Sequence, residues 1–219
     1  MKPMRILMSV LMLTTGTCAF AQRATTESDN LTSGGFPKSY TRLDFSFSAM
    51  SLEHVDDAFL GPSVSLMYGE SLSETIPVYC EFGWTMSWMF RNLSEDSNYD
   101  LKYKFYNIAI PINLAYRLAI PGSSNVAVTP FVGPNFKFNI SGESTYDDGH
   151  TKQTTDFFDK KQMGGKSNKA SRFQMGLNLG LGLTANKFYL GYRFQPDFND
   201  YLKKNKTHTH FVSIGFQNF

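Results

Sequence analysis

Between Ile108 and Leu118 the chain places Ile108, Ile110, Ile112, Leu114, Tyr116 and Leu118 on one set of alternate positions, and Ala109, Pro111, Asn113, Ala115 and Arg117 on the other. A helix would wrap Asn113 and Arg117 among the isoleucines, whereas a strand separates the two sets completely. The segment is therefore read as a β-strand with one very apolar face. Its eleven residues rise about 25 Å at roughly 3.3 Å per residue and a tilt near 45°, the height of the apolar band on an outer-membrane barrel. Strands in water-soluble proteins are usually about half as long.

The same alternation recurs along the chain. Leu43, Phe45 and Phe47 oppose Arg42, Asp44, Ser46 and Ser48; Val64, Leu66 and Tyr68 oppose Ser63, Ser65 and Met67. Phe82, Trp84, Met86, Trp88 and Phe90 oppose Glu81, Gly83, Thr85, Ser87 and Arg91. Past Leu118, Val128, Val132, Phe136 and Phe138 oppose Thr129, Gly133, Asn135, Lys137 and Asn139. Leu177, Leu179, Leu181 and Leu183 then oppose Gly176, Asn178, Gly180 and Gly182; Leu190, Tyr192 and Phe194 oppose Gly191, Arg193 and Gln195; Val212, Ile214 and Phe216 close the series. Eight such apolar faces would overfill a soluble core, but in a membrane they meet lipid while the small and polar side chains fill the interior. The expected fold is all-β, an eight-stranded antiparallel transmembrane up-and-down β-barrel.

Longer connections (Met50 to Pro62, Asn92 to Leu101, Ser141 to Ser171, Pro196 to Lys206) alternate with shorter ones (Gly69 to Pro77, Ala119 to Asn125, Ala185 to Lys187). This is expected when one end of a barrel faces the cell exterior and the other the periplasm, and an even strand count puts both termini on the short-turn side. The first residues fit that location. Lys2 and Arg5 precede the apolar stretch Ile6 to Met12, and Ala19-Phe20-Ala21 has the small-x-small form that a signal peptidase cuts. Residues 1–21 are read as a signal peptide, 22–39 as an N-terminal periplasmic extension and 40–219 as the barrel domain of a Gram-negative outer membrane.

Removing the signal leaves 19 basic and 19 acidic residues, so nothing draws the mature chain to nucleic acid. Cys80 is then its single cysteine, which excludes an internal disulfide framework, and its place on an apolar face makes it a small apolar residue.

The stretches "NIAIPINLAYRLAI", "VTPFVGPNFKFNI" and "LNLGLGLTANKFYLGYRF" resemble the PorT-like outer-membrane β-barrel family. The resemblance rests on Ile110-Pro111, Tyr116-Arg117, Pro130-Phe131-Val132-Gly133-Pro134, the glycines from Gly176 to Gly182, and Gly191-Tyr192-Arg193, in that order over about residues 40 to 219. It implies an outer-membrane location and a barrel of about eight strands. One member is tied to protein secretion, but many relatives have no assigned role, so no activity is carried over.

Facing inward, Arg42, Asp44, Glu81, Arg117, Lys137 and Arg193, with Gln195, form the candidate interior polar network. Acids are expected to pair with bases there, because a buried charge without a partner is costly. A barrel of this size is just wide enough for side chains to fill. A packed, non-conducting core is thus expected, with Gly176, Gly180 and Gly182 giving room to bulky neighbours.

No catalytic, cofactor or metal site is assigned. "GLNLGLG" lacks the helix that would receive a phosphate. His208-x-His210 shows only two ligands of a metal set, and Asp147, Asp148, Asp156 and Asp159 do not match a calcium loop. His54, Asp56, Asp57, His150 and His210 gather near the exterior loops without a spaced nucleophile. Phe157-Phe158 is the one candidate contact patch in the long exterior loop. The expected role is a non-enzymatic membrane anchor or interaction module, a secretion or envelope component, with lipid and an envelope protein as partners and oligomeric state undetermined. A small-solute channel and a rim enzyme are the alternatives. Two local irregularities are also expected: a bulge or missing ladder bond at Pro111, and a bulge near Gln217 that would bring Phe219 into phase with the apolar face.

Overall fold

The computed structural model describes residues 31–53, 58–93, 100–122, 125–164, 169–202 and 205–219. The expected signal peptide and most of the expected N-terminal extension lie outside them. Ten β-segments follow: β1 Ser39–Leu52, β2 Ala58–Ser71, β3 Val78–Leu93, β4 Asp100–Tyr116, β5 Leu118–Ala119, β6 Val126–Asp147, β7 Lys152–Asp156, β8 Phe173–Ala185, β9 Phe188–Pro196 and β10 Thr207–Asn218. β1 pairs with β2, β2 with β3, β3 with β4, β4 with β6, β6 with β8, β8 with β9, β9 with β10, and β10 returns to β1, always antiparallel. The sheet closes into a ring of eight strands. β5 continues β4 against β6, and β7 folds back on β6.

Burial follows the alternation read from the sequence. Arg42, Asp44, Ser46 and Ser48 are buried on β1, while Leu43, Phe45 and Phe47 are exposed; on β4, Asn113 and Ala115 are buried while Ile112, Leu114 and Tyr116 are exposed. Apolar side chains thus face outward into lipid, and the interior is polar. On the outer face Tyr68 meets Phe82 at 5.4 Å and Phe188 meets Phe216 at 5.4 Å toward the short-turn end, whereas Phe90 meets Tyr106 at 6.2 Å and Phe138 meets Phe173 at 5.3 Å toward the long-loop end. These pairs fit the aromatic girdles that flank a barrel's apolar band.

The strands are longer than expected at the long-loop end, and the connections correspondingly shorter. β4 begins at Asp100 rather than Ile108, and β6 runs to Asp147 with β7 beside it, inside the stretch expected to be loop. The physical reason is that the two faces exchange polarity. Before Asn107, Phe105 is the buried residue of β4, and Lys102 and Lys104 are the exposed ones. An amphipathic reading anchored on outward isoleucines ends where the outward residues become lysines.

Of the two expected irregularities, the one at Pro111 is found as a missing ladder pairing, and the one near Gln217 is not found. Pairing of β4 with β6 shifts between Tyr106–Ser141 and Asn107–Asn139, so the bulge residue is Ile140 and not Pro111. At Pro111 the β3–β4 pairing lapses instead, passing from Phe82–Ile112 to Thr85–Ala109. This is the response of a sheet to a residue without an N–H. Beside it, a Cβ on Gly83 would stand 2.0 Å from the Leu66 carbonyl oxygen, so only glycine admits that approach. No bulge occurs near Gln217, since Arg42–Gln217 and Thr41–Asn218 pair in continuous register. Phe219 lies on the interior side, 6.2 Å from the Tyr40 ring.

Candidate functional site

The interior is filled in three layers, each built from inward positions of several strands. In the middle, Glu81 on β3 is fully buried and is the hub. Arg42 Nη1 donates to Glu81 Oε1 at 2.8 Å, the Tyr40 hydroxyl donates to the same oxygen, and Asn113 Nδ2 donates to Oε2 at 3.0 Å. From Asn113 the bonds run on through Asn178 (2.7 Å) to Gln195 (3.0 Å). Arg42 Nε also lies 3.4 Å from Asp44 Oδ2, and the guanidinium covers the Tyr189 ring at 4.3 Å. A carboxylate removed from water needs charge and hydrogen bonds together to remain ionised, and Glu81 has both.

The remaining network residues are not all brought to this hub. Lys137, almost fully buried, makes an ion pair with Asp197, which also accepts from Thr207. Gln174 donates to the same Thr207 hydroxyl at 2.7 Å, and Asn139 donates to Gln174 at 2.9 Å. Arg193 donates to Thr85 at 3.0 Å and Ser65 at 3.3 Å, with its guanidinium 4.1 Å from the Phe211 ring centre. Arg117 stands over the Phe219 ring at 4.5 Å. Among the described residues neither Arg193 nor Arg117 has a carboxylate at ion-pair distance. Asp44 and Glu81 pair with Arg42 as expected, but at Arg193 and Arg117 hydroxyls and aromatic faces take the place of acids. Asp197 was missed because it follows Pro196 in a stretch whose sequence reads as loop.

At the short-turn end an aromatic layer closes the interior: Tyr40, Tyr79 and Phe131, with Phe36 and Phe219 packed against them. The Tyr79 hydroxyl donates to the Pro37 carbonyl at 2.7 Å, which ties the segment before β1 across the opening. Gly180 makes room for this layer, and Gly182 for the Tyr189 ring. A Cβ on Gly180 would come within 2.2 Å of the Phe131 ring, and one on Gly182 within 2.6 Å of Tyr189. Gly176 has a different neighbour, the Pro196 carbonyl oxygen at 2.1 Å.

At the long-loop end an apolar plug is made by inward residues Met50, Leu52, Phe59, Met89 and Phe105 and by residues reaching in from the connections, Phe158, Ala170 and Tyr201. Phe158 is only 9% exposed, and Phe157 stacks on Phe105 at 5.6 Å and on Tyr103 at 6.2 Å. The expected contact patch at Phe157 and Phe158 is thus corrected. Phe158 is buried in an apolar lining made by the barrel itself and Phe157 is partly buried against it, which withdraws much of both rings from water. Backbone bonds from Phe157 to Gly142 (2.9 Å) and from Ser171 to Tyr201 (2.7 Å) hold the two connections in place. Burial pushes the Tyr201 phenol well above its ordinary range, with Asp156 adding to the effect.

The histidines are dispersed. His150 lies in the turn between β6 and β7, where its N–H and that of Thr151 donate to Asp148 at 2.9 and 2.6 Å and hold that carboxyl below its usual range. His208 and His210 lie on the outer face of β10, and the His210 Nδ1 is 2.7 Å from the Tyr192 hydroxyl. His54, Asp56 and Asp57 lie outside the described residues. Among the described residues no histidine is hydrogen-bonded to a serine, threonine or cysteine side chain.

A closed ring of eight antiparallel strands, apolar outside and polar inside, defines an integral outer-membrane β-barrel protein. The chain belongs to the family of outer membrane protein beta-barrel domains, whose model matches residues 44–203. Three solved structures illustrate the likeness. Ail, the attachment invasion locus protein of Yersinia pestis, crystallised with the heparin analogue sucrose octasulfate, is 13% identical over 83% of this chain and 99% of its own, with a TM-score of 0.46. Neisserial surface protein A is 14% identical over 82% and 96%, TM-score 0.47, and the outer membrane enzyme PagL is 13% identical over 80% and 97%, TM-score 0.40. Among curated proteins none matches the chain in sequence.

Proposed function

We propose that the protein is a non-enzymatic, non-conducting outer-membrane anchor, an envelope component of PorT-like type whose long-loop end is the surface that meets another envelope protein. The observation that carries this reading is the filling of the interior at all three levels, from the Tyr40–Tyr79–Phe131 layer through the Glu81 hub to the Phe158–Tyr201 plug. A solute would have to displace two apolar layers and a paired charge network. Above the plug, β4, β6 and β7 project as an extension of the wall, with Lys102, Lys104, Lys152 and Gln153 exposed. The alternation of longer and shorter connections supports an exterior position for that extension.

Planar-bilayer recording on the refolded full chain tests the first half of the reading: a flat baseline is expected, and steady ion-selective openings would replace the anchor with a channel. Chemical cross-linking on intact cells tests the second half. A discrete envelope-protein adduct is expected through lysines of the projecting extension, and its absence across cross-linkers of several lengths would remove the interaction role.

A further inference from the structure

The outer face of β10 changes character near its beginning. Phe216, Ile214 and Val212 are exposed and apolar, but the next two outward residues are His210 and His208. In the ring, Ala49 and Phe194 flank His210, and Ser51 and Pro196 flank His208. This is the edge of the apolar band at the long-loop end, the depth at which lipid chains give way to headgroups.

There the surface is concave. A cleft of about 400 Å³ is lined by Glu53, Phe194, Lys206, His208 and His210, among others. Glu53 N–H donates to the Lys206 carbonyl at 2.9 Å, which fixes the upper wall. Below it the His210 ring leans on Phe194 at 4.8 Å, and Tyr192 holds its Nδ1 at 2.7 Å. The His208 ring stands edge-on to it, 5.9 Å away between centres.

Charge then decides the ligand. Asp197 also lines the cleft, but its carboxylate is neutralised by Lys137 and accepts from Thr207. Glu53 and Lys206 oppose one another in charge. The sign of the cleft is therefore set by the two imidazoles.

We propose that the cleft of His208, His210, Lys206 and Glu53 binds the phosphate headgroup of a lipid in the leaflet at the long-loop end, and does so chiefly when the imidazoles are protonated. The aromatic wall, Phe194, with Tyr192 beside it, accompanies the top of the acyl chains, and the cations meet the phosphate. Only the outward orientation of β10 is required; the anchor reading is not.

The test is imidazole NMR on the refolded full chain in uncharged micelles, titrated with dihexanoylphosphatidic acid, dihexanoylphosphatidylcholine and inorganic phosphate. Saturable shifts of His208 and His210 are expected with the phosphatidic acid at about pH 5.5, weakening at least about tenfold by about pH 8 as two interfacial positive charges are lost. Inorganic phosphate and the zwitterionic lipid should bind at least about tenfold more weakly at the lower pH, because each lacks either the chain or the net charge. Glu53→Gln should strengthen binding at the higher pH, and the His208→Gln/His210→Gln pair should abolish it in a chain that still migrates as a heat-modifiable barrel. Equal shifts with the two lipids, equal shifts with inorganic phosphate, or affinity that does not change with pH would each overturn the proposal.

Discussion

Lys137 on β6 and Asp197, just past the end of β9, form an ion pair inside the barrel, with side-chain exposures of 2% and 0%. The pair joins the wall to the start of a connection, and Thr207 at the start of β10 closes the arrangement. Removing one partner leaves the other charge buried alone. Lys137→Met or Asp197→Asn is expected to lower stability by about 3 kcal/mol, with faster proteolysis between Phe198 and Lys206. The double replacement Lys137→Met/Asp197→Leu should recover most of the loss. Urea unfolding followed by heat-modifiable migration checks this, and equal destabilisation in single and double variants would contradict the pairing.

Glu81 joins four strands, through Tyr40 and Arg42 on β1, its own place on β3, Asn113 on β4 and, beyond that, Asn178 on β8. Glu81→Ala strands the Arg42 guanidinium with Asp44 alone and is expected to cost about 3 kcal/mol. Glu81→Gln keeps an acceptor and should cost less. The ordering Ala worse than Gln, read from unfolding midpoints, distinguishes a charge hub from a merely space-filling residue.

The middle of the barrel was legible because lipid imposes one rule on every strand: outward apolar, inward polar. Arg42, Asp44, Glu81 and Lys137 could therefore be assigned to the interior from parity alone. Partners could not be assigned, since parity gives a side chain's direction but neither its height nor the shear between strands, and so Arg193 meets Thr85 and Ser65 where an acid was expected. The ends were illegible for a different reason. Above Asn107 the rule inverts, with Phe105 inward and Lys104 outward, and Phe157-Phe158 in a polar stretch carries no local sign that its receptor is Phe59, Phe105 and Met89 from three other strands.

The plug is expected to be separable from the barrel. Phe158→Ser removes an aromatic ring from the apolar layer and puts a hydroxyl in its place. Its cost is about 3 kcal/mol, felt by the connection and not by the ring of strands below. Protease cleavage between residues 157 and 171 should accelerate strongly while heat-modifiable migration persists. Loss of the folded band together with the loop would mean that plug and barrel form one cooperative unit. Gly142→Leu attacks the same layer from the wall, because its Cβ would already stand 2.9 Å from the Tyr201 hydroxyl and 3.2 Å from the Phe158 ring.

Tyr201 gives the plug a pH signature. Among the described residues its hydroxyl is buried without a hydrogen-bond partner, and burial raises its ionisation above the ordinary range. In the unfolded loop the phenol ionises near pH 10, so the stability it contributes is complete below that pH. It is lost progressively as pH rises from there toward the folded-state value, because only the opened form then releases the proton. The plug should therefore loosen in alkali, with loop proteolysis rising above about pH 10 and the tyrosinate absorbance of Tyr201 appearing in step. Tyr201→Phe removes the unpartnered hydroxyl while keeping the ring on Phe105 and Phe158, so it should be neutral or slightly stabilising at neutral pH and should blunt the alkaline loosening. An undiminished alkaline response in that variant would assign the effect to another group.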